Sequence, residues 1–395
     1  MAIYLDHAAT TPLRPESRDA WVRAGDEVGN ASSIHSFGQA ARRLLEEARE
    51  RLAAVIACDP PEVVFTSGGT ESVNLAVKGL WFSREAGRGA VVLPDGEHHA
   101  TLDAVGWLHA SAGAEVRAVP LDEVGRISPG RFASALPGAA LATALVAANE
   151  IGTINDAAAL AASAAEAAVP LHLDAVSALG HVPVSFRTWR DSSKSSGGLC
   201  ALSISAHKVG GPAGIGALVV ARQARLSPLL HGGGQQRGLR AGTPDVPGAA
   251  AFAVAAELAE TERESEAARL ESLRTALVRG ILATVPEAEL LGDPVRRLPG
   301  NVHVLFPGAA GETLLFLLDQ AGVAVSTGSA CQAGIPEPSH VVQAIGRTDA
   351  EARQVLRFSL GRTTTTDDIA AVLEVLPAAV ARARAASGTP SAARS

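Results

Sequence analysis

Two patterns of apolar residues alternate along the first half of the chain. Over residues 39–56, Ala40, Leu44, Leu45, Ala48, Leu52 and Val55 recur at three- and four-residue spacing with Arg and Glu between them, which predicts an amphipathic helix. Short apolar runs follow at 63–65, 91–93, 116–119, 141–148, 171–173, 202–205 and 215–220, separated by helical stretches. Strands alternating with helices predict an α/β fold with a mostly parallel sheet covered on both faces. After Pro247 the pattern changes to a long helix rich in Glu, Arg and Ala, ending near Arg279, and then to a smaller group of strands around 302–306 and 355–359. A domain boundary is expected inside that helix. The Ala-rich stretch 156–168 reads as ordinary helix, because no period of about 20–50 residues recurs. The tail from about Arg384 is small and polar and is expected to be disordered.

In an open parallel sheet, ligands bind at the carboxyl ends of the strands, so the residues that follow each run matter. The run 63–65 leads into Thr66-Ser67-Gly68-Gly69-Thr70-Glu71 and a helix. Its free N–H groups and dipole suit phosphate, or it is a Gly-rich turn with Thr70 as N-cap. Run 141–148 ends in Asn149-Glu150, and run 171–173 in Asp174. A carboxylate at the end of a buried strand is costly unless it caps a helix or faces a cation. His98 and His99 follow run 91–93 in the same way. Ser205-Ala206-His207-Lys208 closes the run 202–205 with a lysine, whose placement there fits an ion pair or a Schiff base with a carbonyl cofactor. The same four residues match the SxxK pattern of acyl-serine hydrolases, but no Ser-Asp-Asn or Lys-Thr-Gly accompanies it.

Composition narrows these options. Of the 34 basic residues among 395, only Lys78, Lys194 and Lys208 are lysine. Lys78 is expected on an exposed helix face and Lys194 in a Ser-rich loop, which leaves Lys208 for chemistry that needs a neutralisable amine. The cysteines are Cys58, Cys200 and Cys331, without a CxxC pair, which argues against a disulfide framework or zinc cluster and for a reducing cytoplasm. There is also no HExxH or other metal-ligand spacing. Cys58 and Cys200 look structural. Cys331 lies among small residues, Ser326-Thr327-Gly328-Ser329-Ala330-Cys331-Gln332-Ala333-Gly334, where an exposed thiol would be reactive. A net charge of −7 without basic clusters argues against nucleic-acid and anionic-membrane partners. The N-terminal residues lack a basic region followed by an apolar stretch and no run is long enough to span a membrane, so an unexported protein is expected.

Together these motifs resemble the pyridoxal-phosphate-dependent cysteine desulfurases. The resemblance rests on Tyr4-Leu5-Asp6-His7-Ala8-Ala9-Thr10-Thr11-Pro12, Phe65-Thr66-Ser67-Gly68-Gly69-Thr70-Glu71-Ser72, Asn149-Glu150-Ile151-Gly152, Ser205-Ala206-His207-Lys208 and Arg357-Phe358-Ser359-Leu360-Gly361-Arg362. It extends from about Tyr4 to Ala379, and Thr327-Gly328-Ser329-Ala330-Cys331 is similar to the loop of the nitrogen-fixation and iron-sulfur-cluster group. The resemblance implies the fold type I aminotransferase architecture. Residues 15–255 would form the large cofactor-binding domain with a seven-stranded, mostly parallel sheet. Residues 1–14 and 256–380 would form a smaller α+β domain carrying the Cys331 loop, with 385–395 as the disordered tail.

It further implies pyridoxal 5'-phosphate held covalently by Lys208, with Asp174 on the pyridine nitrogen and His98 stacked on the ring, His99 being a bystander. Gly69, Thr70, Ser205 and His207 would cup the phosphate, completed by Thr243 of a second subunit, so a homodimer is expected. Asn149 and Arg357 would hold the substrate, with Arg357 on its carboxylate. L-cysteine would be converted to L-alanine, with sulfur passing to Cys331 as a persulfide and then to an acceptor protein. Alternatives are a selenocysteine lyase or another class-V lyase or aminotransferase that does not use Cys331, and a non-enzymatic paralogue in a sulfur-transfer assembly. Three features depart from the family pattern. Ser177 stands where Gln is common, the segment 187–198 is several residues longer and reads as a surface insertion, and Cys200 replaces a common Asp.

Overall fold

Apolar runs too short for helices become strands here, and most are buried on both faces, the edge strand over 115–119 being the exception with Glu115, Val116 and Ala118 exposed. The computed structural model describes residues 2–190, 197–328 and 337–388. From the N-terminus come β1 (Ile3–Tyr4), α1 (Pro15–Gly25), α2 (Ser36–Ile56), β2 (Val63–Thr66), α3 (Gly69–Phe82), β3 (Ala90–Pro94) and α4 (His99–Ala112). Then follow β4 (Glu115–Val119), α5 (Pro129–Ala135), β5 (Ala139–Leu145), α6 (Ala157–Glu166), β6 (Pro170–Asp174), α7 (Phe186–Trp189), β7 (Gly198–Ser205) and β8 (Gly216–Val220). The remainder is α8 (Val246–Thr284), β9 (Glu289–Leu291), β10 (Asn301–Leu305), α9 (Gly311–Gln320), β11 (Val323–Ala324), α10 (His340–Ala344), α11 (Asp349–Ala352), β12 (Val355–Ser359) and α12 (Thr366–Ala386).

The central sheet has seven strands in the order β2-β8-β7-β6-β5-β3-β4. It is parallel except at β8, which runs antiparallel to both β7 and β2. A second sheet, β12-β10-β9, is antiparallel, and β1 pairs in parallel with β11. The chain start is thereby tied to the chain's last third.

Helix α8 carries both cores. Its first half is Ala-rich, and Ala249, Phe252, Ala253 and Ala256 belong to the large cluster around the central sheet. Such small side chains allow close approach to α1, where Ser17 Oγ donates to the carbonyl of Ala251 at 2.9 Å. From Leu270 onward the helix presents Leu273, Leu277 and Ile281 to the cluster of β10, β12 and α12. Between Ala259 and Leu270 none of its residues is buried.

Several details depart from the sequence reading. The run 141–148 is strand only to Leu145. The Val146 N–H turns to the Asp174 carbonyl, and a loop closed by the Ala147–Ile154 bridge and Gly152 at φ +77° carries Asn149 and Glu150 beyond the sheet. Thr70 is not an N-cap. Gly68 holds that place, at φ +152°, and Thr70 lies inside the first turn of α3. Helix α8 extends to Thr284. The tail is helical through Ala386, because Arg384 Nε and Nη2 donate to the carbonyls of Pro307 and Pro286 at 2.9 and 2.8 Å and anchor the last turn. Only its end, 389–395, lies outside the described residues. The long 187–198 connection begins as α7, and Arg190 pairs with buried Glu62 at 2.6 Å. Lys194 lies outside the described residues.

Candidate active site

Five parallel strands deliver residues to one cavity of about 400 Å³. β2 leads to Gly69 and Thr70, β3 to His98, β5 to Asn149, β6 to Asp174, and β7 to Ser205, His207 and Lys208. The N-terminal segment adds Ala8 and Ala9, and the smaller core adds Ser326, Gly328, His340 and Arg357. The cavity therefore opens at the carboxyl edge of the sheet, where the topology places ligands.

At one end, the start of α3 offers N–H groups with no side-chain cap. A Cβ on Gly69 would meet Val176 Cγ2 at 2.8 Å, so only glycine leaves this cradle open. Ser205 Oγ lies beside it, buried and without a hydrogen-bond partner. A buried hydroxyl in that state is a donor awaiting an acceptor. His207 Nδ1 contacts Thr10 Oγ1 at 3.2 Å, and burial with the Lys208 charge lowers its pKa to about 4. These groups fit an anion such as phosphate.

Deeper in, Asp174 accepts the Val176 N–H at 2.9 Å, and burial pushes its carboxyl up to about 6. Beneath it on the same face of β6, His172 is held between Thr143 Oγ1 at 2.9 Å and Ser203 Oγ at 2.8 Å, which clamps β6 to its two neighbours. His98 is the N-cap of α4. Its Nδ1 accepts the Ala100 N–H at 3.0 Å, which assigns the ring proton to Nε2. Burial and the Lys208 charge lower its pKa to about 4, so the ring is neutral.

Lys208 Nζ donates to the carbonyls of Ala8 and, at 2.9 Å, Ala9. Burial and the Arg357 charge lower its pKa to about 8 against the opposing pull of Asp6 and Asp174. Such an amine gives up a proton far more readily than a surface lysine. Arg357, on β12, is fixed by two bonds of 3.0 Å, to the Asn149 carbonyl and to Asp6 Oδ1, while its buried Nε has no partner. A guanidinium held at two corners with one donor spare is built for a carboxylate.

Thr243 is exposed and does not line its own chain's cavity. His99 also lines the cavity, where it meets His340 edge to face at 4.8 Å. Cys331 lies outside the described residues, but Gly328 and His340, on either side of 329–336, both line the cavity. Cys58 and Cys200 are buried, which pushes both thiols up to about 12. Ser177 also lines the cavity. Lys78 sits over the Trp107 ring at 4.6 Å on α3.

Two acids escaped the sequence reading. Asp6, which orients Arg357, was part of a motif but had no role. Glu97 is fully buried with Oε1 on the Leu145 N–H at 2.8 Å, and burial raises its pKa to about 8, so it holds a proton at neutral pH. The signal for Glu97 was an acid directly before His98, the same kind of placement that singled out Asp174. Among the described residues no cluster of three or more His, Cys, Asp or Glu could hold a metal ion.

The family model described as Aminotransferase class-V matches residues 3–372. An IscS-like cysteine desulfurase of Mycobacterium tuberculosis is 47% identical over 390 residues, covering 97% of each chain. Cysteine desulfurase IscS of Methanosarcina thermophila is 40% identical over 385 residues, covering 97% of this chain and 93% of its own. Among solved structures, a NifS-like protein superposes with a TM-score of 0.89 at 30% identity, over 97% of this chain and 100% of its own.

Proposed function

The chain belongs to the class-V aminotransferase family and is one of its cysteine desulfurases, and from that premise we propose that it binds pyridoxal 5'-phosphate and passes the sulfur of L-cysteine to Cys331. The observation that carries this reading is the set of complementary groups around one cavity. The uncapped start of α3 with the unpartnered Ser205 hydroxyl suits a phosphate, buried Asp174 suits a protonated pyridine nitrogen, and Lys208 suits an aldehyde. The residues fit the group. Gly69, Thr70, Ser205 and His207 would hold its phosphate, Asp174 its ring nitrogen and Lys208 its carbonyl carbon, with His98 and Asn149 against the ring. When bound, pyridoxal phosphate supplies the electron sink that lets a proton leave the substrate's α-carbon and its carbon–sulfur bond break.

The protein's own groups do the rest. Arg357, braced by Asp6, binds the substrate carboxylate and, with Asn149, orients the α-carbon. Lys208 Nζ, with its pKa lowered to about 8, takes and returns the proton at that carbon. Neutral His98 donates through Nε2. Two residues lie between Gly328, at the cavity, and Cys331, a reach of at most about 11 Å. The Cys331 thiolate attacks the substrate sulfur. The S–S bond forms as the carbon–sulfur bond breaks, the carbon takes a proton, and alanine leaves a persulfide for transfer to an acceptor protein.

Thr243, off its own cavity, would complete the phosphate cup of a second copy, which makes the working unit a homodimer. We place the protein in the cytoplasm, where the reducing poise keeps Cys331 a thiol. No helix among the described residues is long and apolar enough to cross a membrane. The test is Cys331→Ser with L-cysteine. We expect alanine formation to fall at least about a hundredfold while the cofactor's absorption stays unchanged, and wild-type protein quenched in turnover to gain one sulfur on Cys331 by mass spectrometry. Undiminished alanine formation by the serine variant would overturn the reading.

A further inference from the structure

Glu150 has no part in the mechanism above, yet its side chain is 2% exposed and forms no ion pair with any lysine or arginine among the described residues. Burying a carboxylate without a cation is costly, so what this one holds matters. Its Oε2 accepts the Ser339 hydroxyl at 2.5 Å. Ser339 is fully buried, and its Oγ in turn accepts the Val342 N–H at 3.1 Å and caps α10. The same Oε2 would lie 3.4 Å from a Cβ placed on Gly328, and that Cβ would meet His303 Cε1 at 2.8 Å, so with φ at +88° the position takes only glycine. Gly328 and Ser339, on either side of the segment that carries Cys331, are thus gathered at one carboxylate oxygen.

The main chain of the same residue belongs to the substrate side. The Glu150 carbonyl accepts from Asn301 Nδ2 and His303 Nδ1, both at 3.0 Å, which fills its two lone pairs. The preceding carbonyl, of Asn149, accepts Arg357 Nη1 at 3.0 Å. His303 and Arg357 are cross-strand partners on β10 and β12, so their side chains leave that sheet on one face and meet consecutive carbonyls of the loop. Burial lowers the His303 pKa to about 3, so the ring makes its bond as a neutral donor. The main chain of Glu150 is therefore fixed to the groups that orient the substrate, and its side chain to the chain on both sides of Cys331.

We propose that Glu150 is a positioning residue for sulfur transfer, its carboxylate holding Gly328 and Ser339 in register with Asn149 and Arg357. The proposal rests on the reading of Cys331 as the sulfur acceptor. In that step Cys331 Sγ bonds to the substrate sulfur, the carbon–sulfur bond breaks with its electron pair going to carbon, and the carbon takes a proton. Glu150 gives and takes no proton in it. Misplacing reacting atoms by about 1 Å can cost about a hundredfold in rate, and only two residues lie between Gly328 and the attacking residue. Removal of the α-proton by Lys208 makes no use of Gly328 or Ser339. Loss of the Glu150–Ser339 bond should therefore slow sulfur transfer and spare the proton step.

The test uses wild-type, Glu150→Ala, Glu150→Gln, Ser339→Gly, Glu150→Ala/Ser339→Gly and Cys331→Ser holoenzymes. Persulfide formation on Cys331 is timed in a single turnover of L-cysteine by quenching and mass spectrometry. Exchange of the α-hydrogen of L-alanine in D₂O, followed by proton NMR, reports the proton step without Cys331. We expect Glu150→Ala and Ser339→Gly each to form persulfide at least about tenfold more slowly, with alanine exchange within about twofold of wild type. Glycine replaces serine at an N-cap at little cost to the helix, so Ser339→Gly tests the bond even where Glu150→Ala does not fold. Glu150→Gln keeps an oxygen for Ser339 and should stay within about threefold of wild type, and the double variant should be no slower than the slower single, since both remove one bond. Persulfide formation within about twofold of wild type in Ser339→Gly, alanine exchange that falls in step with it, or Glu150→Gln as slow as Glu150→Ala overturns the positioning role alone. Undiminished alanine formation from L-cysteine by Cys331→Ser overturns the reading of Cys331 and the proposal with it.

Discussion

Replacing Asp174 with asparagine should stabilise the cofactor-free protein while crippling the holoenzyme, because the carboxylate sits in a place that suits it only when a cation faces it. Burial raises this carboxyl from an ordinary 3.8 to about 6, and at about 1.36 kcal/mol per pH unit that corresponds to about 3 kcal/mol. The sign follows from the direction. Above pH 6 the group is charged in both folded and unfolded states, and the folded state carries the full penalty. As pH falls towards 3.8 the folded carboxyl takes up its proton first, and below 3.8 the penalty is gone. Asparagine keeps an oxygen for the Val176 N–H and never carries the charge.

For 395 residues at about 2.1 cal/mol/K each, 3 kcal/mol translates into roughly 3–4 °C of melting temperature. Scanning calorimetry of apoprotein should therefore show Asp174→Asn melting that much higher at pH 8, with the gap closing as pH is lowered towards 5. Adding pyridoxal phosphate should reverse the order, since the protonated ring nitrogen rewards the carboxylate and not the amide. An apo difference that is absent at pH 8, or that does not change between pH 5 and 8, would refute the argument that the site is electrostatically prepared for a cation.

Two other outcomes follow from the site. Arg357→Lys loses the two-cornered brace to Asp6 and Asn149. A charged hydrogen bond of about 1.5–3 kcal/mol predicts a rise in KM for cysteine of roughly 10- to 150-fold, larger than any fall in kcat, and an unchanged KM would count against its role. The thiols of Cys58 and Cys200, pushed up to about 12 by burial, should stay unmodified by iodoacetamide at pH 8 until the protein is unfolded, leaving Cys331 as the site of labelling. Labelling of either one in folded protein would show that its burial is not maintained.

Much of the catalytic layout is legible in the sequence because parallel strands place their chemistry immediately after each apolar run. Lys208, Asp174, His98 and Gly69 were found that way, and the cavity gathers them. Asp6 and Glu97 were missed for different reasons. Asp6 follows β1, a two-residue strand too short to show any period, and its partner Arg357 is 351 residues away. Glu97 stands three residues past the end of β3, where the apolar pattern has already stopped and gives no sign that the side chain is buried. Asn149 was placed at a strand end, whereas the chain leaves the sheet at Leu145 and reaches the site through a loop.

The N-terminal segment sets the order in which the protein can become active. Ile3 and Tyr4 pair with Val323 and Ala324, the Ser359 N–H donates to the Leu5 carbonyl, and Lys208 rests on the carbonyls of Ala8 and Ala9. On a ribosome adding roughly 5–20 residues per second, the first strand waits about 20–70 s for its partners to emerge. The central sheet needs none of them and can assemble in the meantime. A nascent or truncated chain can thus be well folded yet inert, because the floor of the reaction cavity is laid only when the beginning of the protein meets its end.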